Sequence, residues 1–150
     1  MERKRKIVPP AYLLMTLVFM WLIDRYLPVY QHINPPVAYS GIIPLLFGIA
    51  MASVSAASFK KAHTGIIPFD EATTLVTTGF YRYTRNPMYM GMFLMLLGVA
   101  ILMGSVGALL PVPVFVLVIR NHFVLAEERF LQAVFGERYQ NYTSEVRRWF

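Results

Sequence analysis

From Gly79 to Gly91 the chain reads Gly79-Phe80-Tyr81-Arg82-Tyr83-Thr84-Arg85-Asn86-Pro87-Met88-Tyr89-Met90-Gly91. Two guanidiniums, Arg82 and Arg85, stand among three tyrosines, Tyr81, Tyr83 and Tyr89, and Pro87 suits the first turn of a helix. Guanidiniums bind carboxylates or phosphates, tyrosine rings stack on a cation or an adenine, and the free amides of a helix start attract an anion. The same residues would also serve as basic anchors with interfacial tyrosines beside a bilayer. A second group is Arg120-Asn121-His122 followed by Glu127-Glu128. Arg120 and Glu127, seven apart, share one face of a regular helix, with Glu128 one position round. Adjacent carboxylates next to long apolar runs are costly unless a cation or a hydroxyl-rich ligand compensates them. Pairing of Glu127 or Glu128 with Arg85 or Arg129 is the structural alternative.

The elements that must position these groups are apolar. Of 150 residues, 57% are hydrophobic and only 15% charged, too apolar for one soluble domain of this size. Four runs carry the excess: Ile7–Ile23, Val37–Phe59, Met88–Val106 and Ala108–Leu125. Each is near the ~20 residues that cross about 30 Å of hydrocarbon. With their flanks they predict an all-α, four-span integral membrane bundle forming one domain over 1–150. The spans fall at about 7–27, 37–59, 88–106 and 108–125, with a polar loop at 60–87 and a C-terminal cap at 126–150. A buried core helix explains one such run but not four in so short a chain. A cleaved signal peptide is disfavoured because Trp21 to Tyr26 is bulky and charged.

Lys and Arg accumulate on the cytoplasmic side of membrane proteins. Here they sit at Arg3–Lys6, at Lys60, Lys61, Arg82 and Arg85, and from Arg120 to Arg148, only Arg25 falling elsewhere, while Pro28–Pro36 and the Gly104–Gly107 turn hold none. Both termini and the 60–87 loop are therefore expected in the cytosol. The net charge of +6 is spread beside the membrane runs, which favours anionic lipid headgroups over nucleic acid as the partner. The chain has no cysteine, and His32, His63 and His122 lack ligand spacing, so no metal site is expected.

Gly48, Ala52 and Ala56 mark a close-packing face on the second span, fit for the bundle or for a dimer, and Gly91, Gly98 and Ser105 repeat the device on the third. Met88, Met90, Met92 and Met95 at the start of the third span suit gap-filling, or the wall of a greasy pocket. The short Gly104-Ser105-Val106-Gly107 link makes the last two spans a hairpin, which brings Gly79–Gly91 beside Arg120–Glu128. Pro111 and Pro113 are expected to bend the fourth span. After Glu128, the run Phe130, Leu131, Val134 and Phe135 has amphipathic spacing and Gly136 suits a helix stop. Tyr139, Tyr142, Trp149 and Phe150 are then expected at the membrane interface.

Gly79–Gly91 resembles the Gly-x-Tyr-Arg-x-x-Arg-(His/Asn)-Pro-x-Tyr-x-Gly signature of the isoprenylcysteine carboxyl methyltransferase and phospholipid methyltransferase superfamily. The run Glu127-Glu128-x-x-Leu131-x-x-x-Phe135-Gly136-x-x-Tyr139-x-x-Tyr142-x-x-x-Val146-x-Arg148 is similar to that family's C-terminal signature, and together they cover about half the chain, Leu75 to Arg148. The resemblance implies an S-adenosylmethionine-dependent methyltransferase of the small prokaryotic type, in an inner membrane, with its site facing the cytosol. Its cofactor would lie between the last two spans and the cap, and a hydrophobic or lipid acceptor would enter from the bilayer. Carried over by position, Tyr81, Arg82, Arg85, Asn86, Pro87, Tyr89, Gly91, Glu127 and Glu128 are expected at the cofactor, with Arg120 and Glu127 in positioning roles near the chemistry. Asn86 stands where eukaryotic members carry His.

Methyl transfer from a sulfonium is a direct displacement that needs alignment more than a covalent residue. Arg85 or Arg82 is expected to bind the methionine carboxylate, and Glu127 or Glu128 the ribose hydroxyls or the amino group, with tyrosines flanking the sulfonium. Two other readings stand beside this one. A steroid-reductase-like membrane enzyme has a similar Arg-His-Pro-x-Tyr-x-Gly element and binds NADPH, although the Glu127-Glu128 pair disfavours the extra phosphate. A non-enzymatic membrane subunit would use the arginines and tyrosines only as anchors.

Overall fold

A computed structural model describes residues 8–27, 34–63 and 72–149. The described residues form five helices and no sheet. They are α1 (Pro9–Tyr26), α2 (Pro35–Lys61, with a tighter turn at Tyr39–Gly41), α3 (Pro87–Met103), α4 (Val106–Phe135) and α5 (Glu137–Glu145). α1, α2 and α3 each open on proline, whose fixed φ is already helical and whose missing N–H has no partner to lose in a first turn. α3 stops at Gly104 (φ 65°) and α4 at Gly136 (φ 53°), positive values that cost glycine nothing.

α2 and α4 are long and apolar enough to cross a membrane, while α3 is apolar but shorter. Both long helices bare large apolar side chains, among them Ile43, Leu46 and Phe47 on α2 and Leu110, Val114 and Leu117 on α4. Exposed apolar faces of this extent suit lipid rather than water. α3 is the opposite case, with Leu96, Gly98 and Ala100 buried inside the bundle.

Glycines set the α2–α3 contact. A Cβ on Gly48 would lie 2.5 Å from the Gly91 carbonyl oxygen, and one on Gly91 would lie 2.6 Å from that of Gly48 and 2.8 Å from the Ala52 nitrogen. Further along the same contact, Gly41 and Gly98 repeat the arrangement, with oxygens at 2.5 and 2.6 Å. The expected packing stripe is thus present at Gly48 and Ala52, and Gly41 joins it, while Ser105 falls beyond the end of α3.

The Gly104-Ser105 link makes α3 and α4 an antiparallel hairpin. α1 runs against α4, its Ile23 and the adjoining Leu27 meeting Gly107. Met20, Leu96, Ile119 and Val124 fill the fully buried centre between α1, α3 and α4. The starts of α1 and α3 and the ends of α2 and α4 consequently gather at one end of the bundle.

Two expectations change. The cap is expected from 126 as a separate element, but α4 runs unbroken through the membrane-compatible stretch to Phe135, because no Gly or Pro interrupts 114–135. Only α5 and the tail beyond it fold back. Within α4, Arg120–Val124 is a π-turn, which widens the helix by one residue and rotates the side chains beyond it. The prolines leave their mark at Leu110, whose N–H bonds Gly107 O at 3.1 Å, three residues back. The first connection and much of the 60–87 loop, at residues 28–33 and 64–71, lie outside the described residues, as does Phe150.

Candidate functional site

The loop before α3 takes its shape from the C-terminal tail. A turn at Gly79–Arg82 is followed by three successive residues that bond the tail's backbone. Thr84 Oγ1 and Asn86 Nδ2 both donate to Arg148 O at 3.0 Å, and the Arg85 N–H donates to Arg147 O at 3.0 Å. Tyr142 O–H donates to Tyr81 O at 2.6 Å, which fixes α5 to the same loop. Thr84 and Asn86 are buried, so each of these bonds satisfies a group that burial would otherwise penalise.

This framework encloses one wall of a cavity of about 350 Å³ at the gathered helix ends. Its apolar part comes from the starts of α1 and α3 and from Phe59, Leu75, Val76, Phe130 and Leu131. Its polar part is Tyr81, Arg85, Asn86, Tyr89, Glu127, Glu128, Tyr139 and Tyr142. Tyr89 O–H donates to Glu127 Oε1 at 2.6 Å, a short charge-assisted bond. Glu128 is held differently. Arg148 grips both its oxygens, Nε at 2.8 Å and a terminal nitrogen at 2.7 Å, and Arg85 approaches Oε1 at 3.2 Å. Arg85 and Glu128 are 15% and 16% exposed, dry enough for this network to be stronger than a surface pair. Among the described residues no Lys or Arg pairs with Glu127.

Burial pushes the Tyr81 phenol above the ordinary tyrosine range, and the Glu127 charge and Tyr142 act the same way. Tyr142 and Tyr139 are also raised, by burial first, with Arg85 opposing the rise at both. All three therefore stay protonated and can donate hydrogen bonds at neutral pH. Replacing Tyr89 by Phe removes the donor to Glu127 and leaves a part-buried carboxylate unsatisfied. We expect a loss of about 2 kcal/mol, read as a lower unfolding temperature of the detergent-solubilised protein.

Of the residues expected at the site, Tyr81, Arg85, Asn86, Tyr89, Glu127 and Glu128 meet on the cavity wall. Four do not. Arg82 is exposed beside the equally exposed Tyr83. Pro87 is buried as the first residue of α3 without lining the cavity, and Gly91 faces α2, where its missing side chain serves helix contact. Arg120 is exposed: counting seven residues to Glu127 assumes a regular helix, and the π-turn between them breaks that count. Tyr139 and Tyr142, expected at a membrane interface, are buried in the wall, because α5 folds back under the loop. Trp149 packs against the central core. Sequence reasoning misses Thr84 and Arg148 as site-building residues. Arg148 stands inside the C-terminal pattern, but a partner twenty residues from Glu128 has no local signal.

The described residues form an all-helical bundle with faces that suit a membrane, and a cavity at one end joins an apolar wall to a carboxylate–guanidinium–tyrosine corner. Residues 37–138 match the sequence model of the family described as phospholipid methyltransferase, and the chain belongs to that family. Over 75 residues, 48% of this chain, it is 37% identical to the protein-S-isoprenylcysteine O-methyltransferase of Schizosaccharomyces pombe, covering 30% of that protein. Over 115 residues, 73% of this chain, it is 26% identical to a probable protein-S-isoprenylcysteine O-methyltransferase of Oryza sativa subsp. indica, covering 59% of it. An uncharacterized protein of Haemophilus influenzae is 39% identical over 62 residues, 41% of this chain and 98% of that protein. No solved structure matches.

Proposed function

We propose that the protein transfers a methyl group from S-adenosylmethionine to a hydrophobic or membrane-embedded acceptor: a lipid amine, a prenyl-like carboxylate or a thiol. The observation that carries this reading is the two-part cavity, whose polar corner and apolar wall face the same space. Its volume, about 350 Å³, lies in the range of roughly 300–1,000 Å³ that small-molecule sites occupy.

The residues present fit the cofactor. Arg85 lines the cavity and its Nε is buried without a partner, so the guanidinium has donor capacity to spare for a carboxylate. Arg82, off the wall, is the weaker candidate for that role. Glu127 accepts from the amino group or a ribose hydroxyl, since Glu128 has both oxygens engaged. Tyr81 and Tyr89 offer ring faces to a positive charge. When bound, the cofactor supplies a methyl group on a sulfonium, which a nucleophile takes by direct displacement. The side chains of this chain then have three tasks: to orient, to neutralise and to keep water out. The apolar wall of Met88, Met92, Phe130 and Leu131 receives the acceptor.

The same proposal places four spans in the membrane, with both termini and the cavity on the cytosolic side of a prokaryotic inner membrane and anionic headgroups beside the basic residues. In its support, α1 bares Leu14, Val18, Phe19 and Trp21 in the way α2 and α4 bare their apolar faces. Among the described residues, Lys60 and Lys61 at the end of α2, Arg85 before α3 and Arg148 in the tail lie at the cavity end, while Arg25 lies at the other end of α1.

Calorimetric titration of detergent-solubilised protein with S-adenosylhomocysteine and with NADPH tests the cofactor. We expect saturable binding of the first alone. Binding of NADPH alone would replace this reading with a reductase, and binding of neither with a non-catalytic subunit. Incubation of membranes with methyl-labelled cofactor, followed by mass spectrometry of the labelled product, then identifies the acceptor.

A further inference from the structure

Glu128 and Arg85 both lie on the cavity wall, yet Glu128 is claimed from behind. Both of its oxygens are taken by the Arg148 guanidinium, through Nε at 2.8 Å and a terminal nitrogen at 2.7 Å. Arg85 reaches the same carboxylate through one atom only, at 3.2 Å. A fork-on-fork pair between a guanidinium and a carboxylate requires both oxygens. While Arg148 occupies them, Arg85 cannot close that pair. Its Nε is buried with no partner, while the guanidinium also meets the Tyr139 phenol. Arg148 is itself outside the cavity lining and more exposed, at 33%.

We propose that Arg148 is a positioning residue: by neutralising Glu128 it keeps the Arg85 guanidinium available to an anionic group of the ligand. The inference rests on the methyl-transfer reading above and assigns the anion, the cofactor's carboxylate, to Arg85. Without Arg148, the nearest cation to Glu128 is Arg85, which then folds onto the carboxylate and leaves the cavity with one anion-binding group fewer. The loop carrying Arg85 is not itself at stake, because it is held by the backbone oxygens of Arg147 and Arg148, which an alanine at 148 retains.

The test compares S-adenosylmethionine with its decarboxylated form, which keeps the sulfonium, the adenosine and the amine. Affinities of detergent-solubilised protein are measured by calorimetry for the unaltered chain, for Arg148→Ala and for Arg148→Ala/Glu128→Gln. In Arg148→Ala the affinity for S-adenosylmethionine is expected to fall about 10- to 100-fold, while that for the decarboxylated form changes little. In the double variant the neutral amide no longer captures Arg85, and affinity for S-adenosylmethionine returns close to its original value. A purely structural role for Arg148 would weaken both ligands together, and the added Glu128→Gln change would restore neither. Either result overturns the assignment. If the unaltered chain binds neither compound, the methyl-transfer reading falls and takes this inference with it. If it binds both, and both weaken equally in Arg148→Ala, only the role of Arg148 falls.

Discussion

Glu127→Gln is expected to weaken binding of S-adenosylhomocysteine about 10- to 100-fold while leaving the protein more stable than before. The two effects have opposite signs because, on the proposed reading, the Glu127 carboxylate serves the ligand and costs the fold. Its Oε1 accepts from Tyr89 at 2.6 Å, but among the described residues no Lys or Arg compensates it. A carboxylate largely removed from water and bonded only by a neutral hydroxyl bears a desolvation cost that an amide does not. Glutamine keeps the acceptor for Tyr89 and removes the charge, so the folded state gains about 1 kcal/mol. Thermal unfolding of the solubilised protein and a binding titration read the two effects separately. A drop in unfolding temperature would show that a cation balances Glu127 after all.

Gly91→Ala is expected to destabilise by about 3 kcal/mol or more, with Gly48→Ala close behind it. The added Cβ would meet the Gly48 carbonyl oxygen at 2.6 Å and the Ala52 nitrogen at 2.8 Å. These are backbone atoms of a neighbouring helix and cannot rotate away, so α2 and α3 must separate along the contact that Gly41 and Gly98 also share. Yield of monodisperse protein and its unfolding temperature measure the loss. Gly48 does not line the cavity, so parallel losses in the two variants identify the position as helix packing. If Gly91→Ala folded with unchanged stability and lost only ligand affinity, Gly91 would belong to the cofactor site instead.

Some of the site was legible because it depends on local spacing. Tyr81, Arg85, Asn86 and Tyr89 lie within nine residues across the start of one helix, and a turn that short presents them on one side. Glu127 and Glu128 were legible through the hairpin: a two-residue link leaves α3 and α4 no choice but to bring their far ends together. Arg120 lies off the cavity wall for the converse reason. A heptad count holds only while the helix keeps its pitch, and whether a helix admits a π-turn is decided by what packs around it, here with Phe123 and Val124 driven into the core.

The sequence by itself determined the all-helical character, the apolar runs, the hairpin and the glycine stops, each of which follows from short-range chemistry along the chain: side-chain polarity, proline's fixed φ and glycine's freedom at positive φ. It also determined which residue types could bind a cofactor. Only the tertiary structure decided which of them share one cavity. It set Gly91 against α2, put Tyr139 and Tyr142 in the cavity wall, and brought Arg148 onto Glu128. The last two depend on a tail folding back over a loop some sixty residues earlier, with backbone carbonyls as the acceptors. A carbonyl is present at every residue, so nothing in the amino-acid types marks which ones will be used.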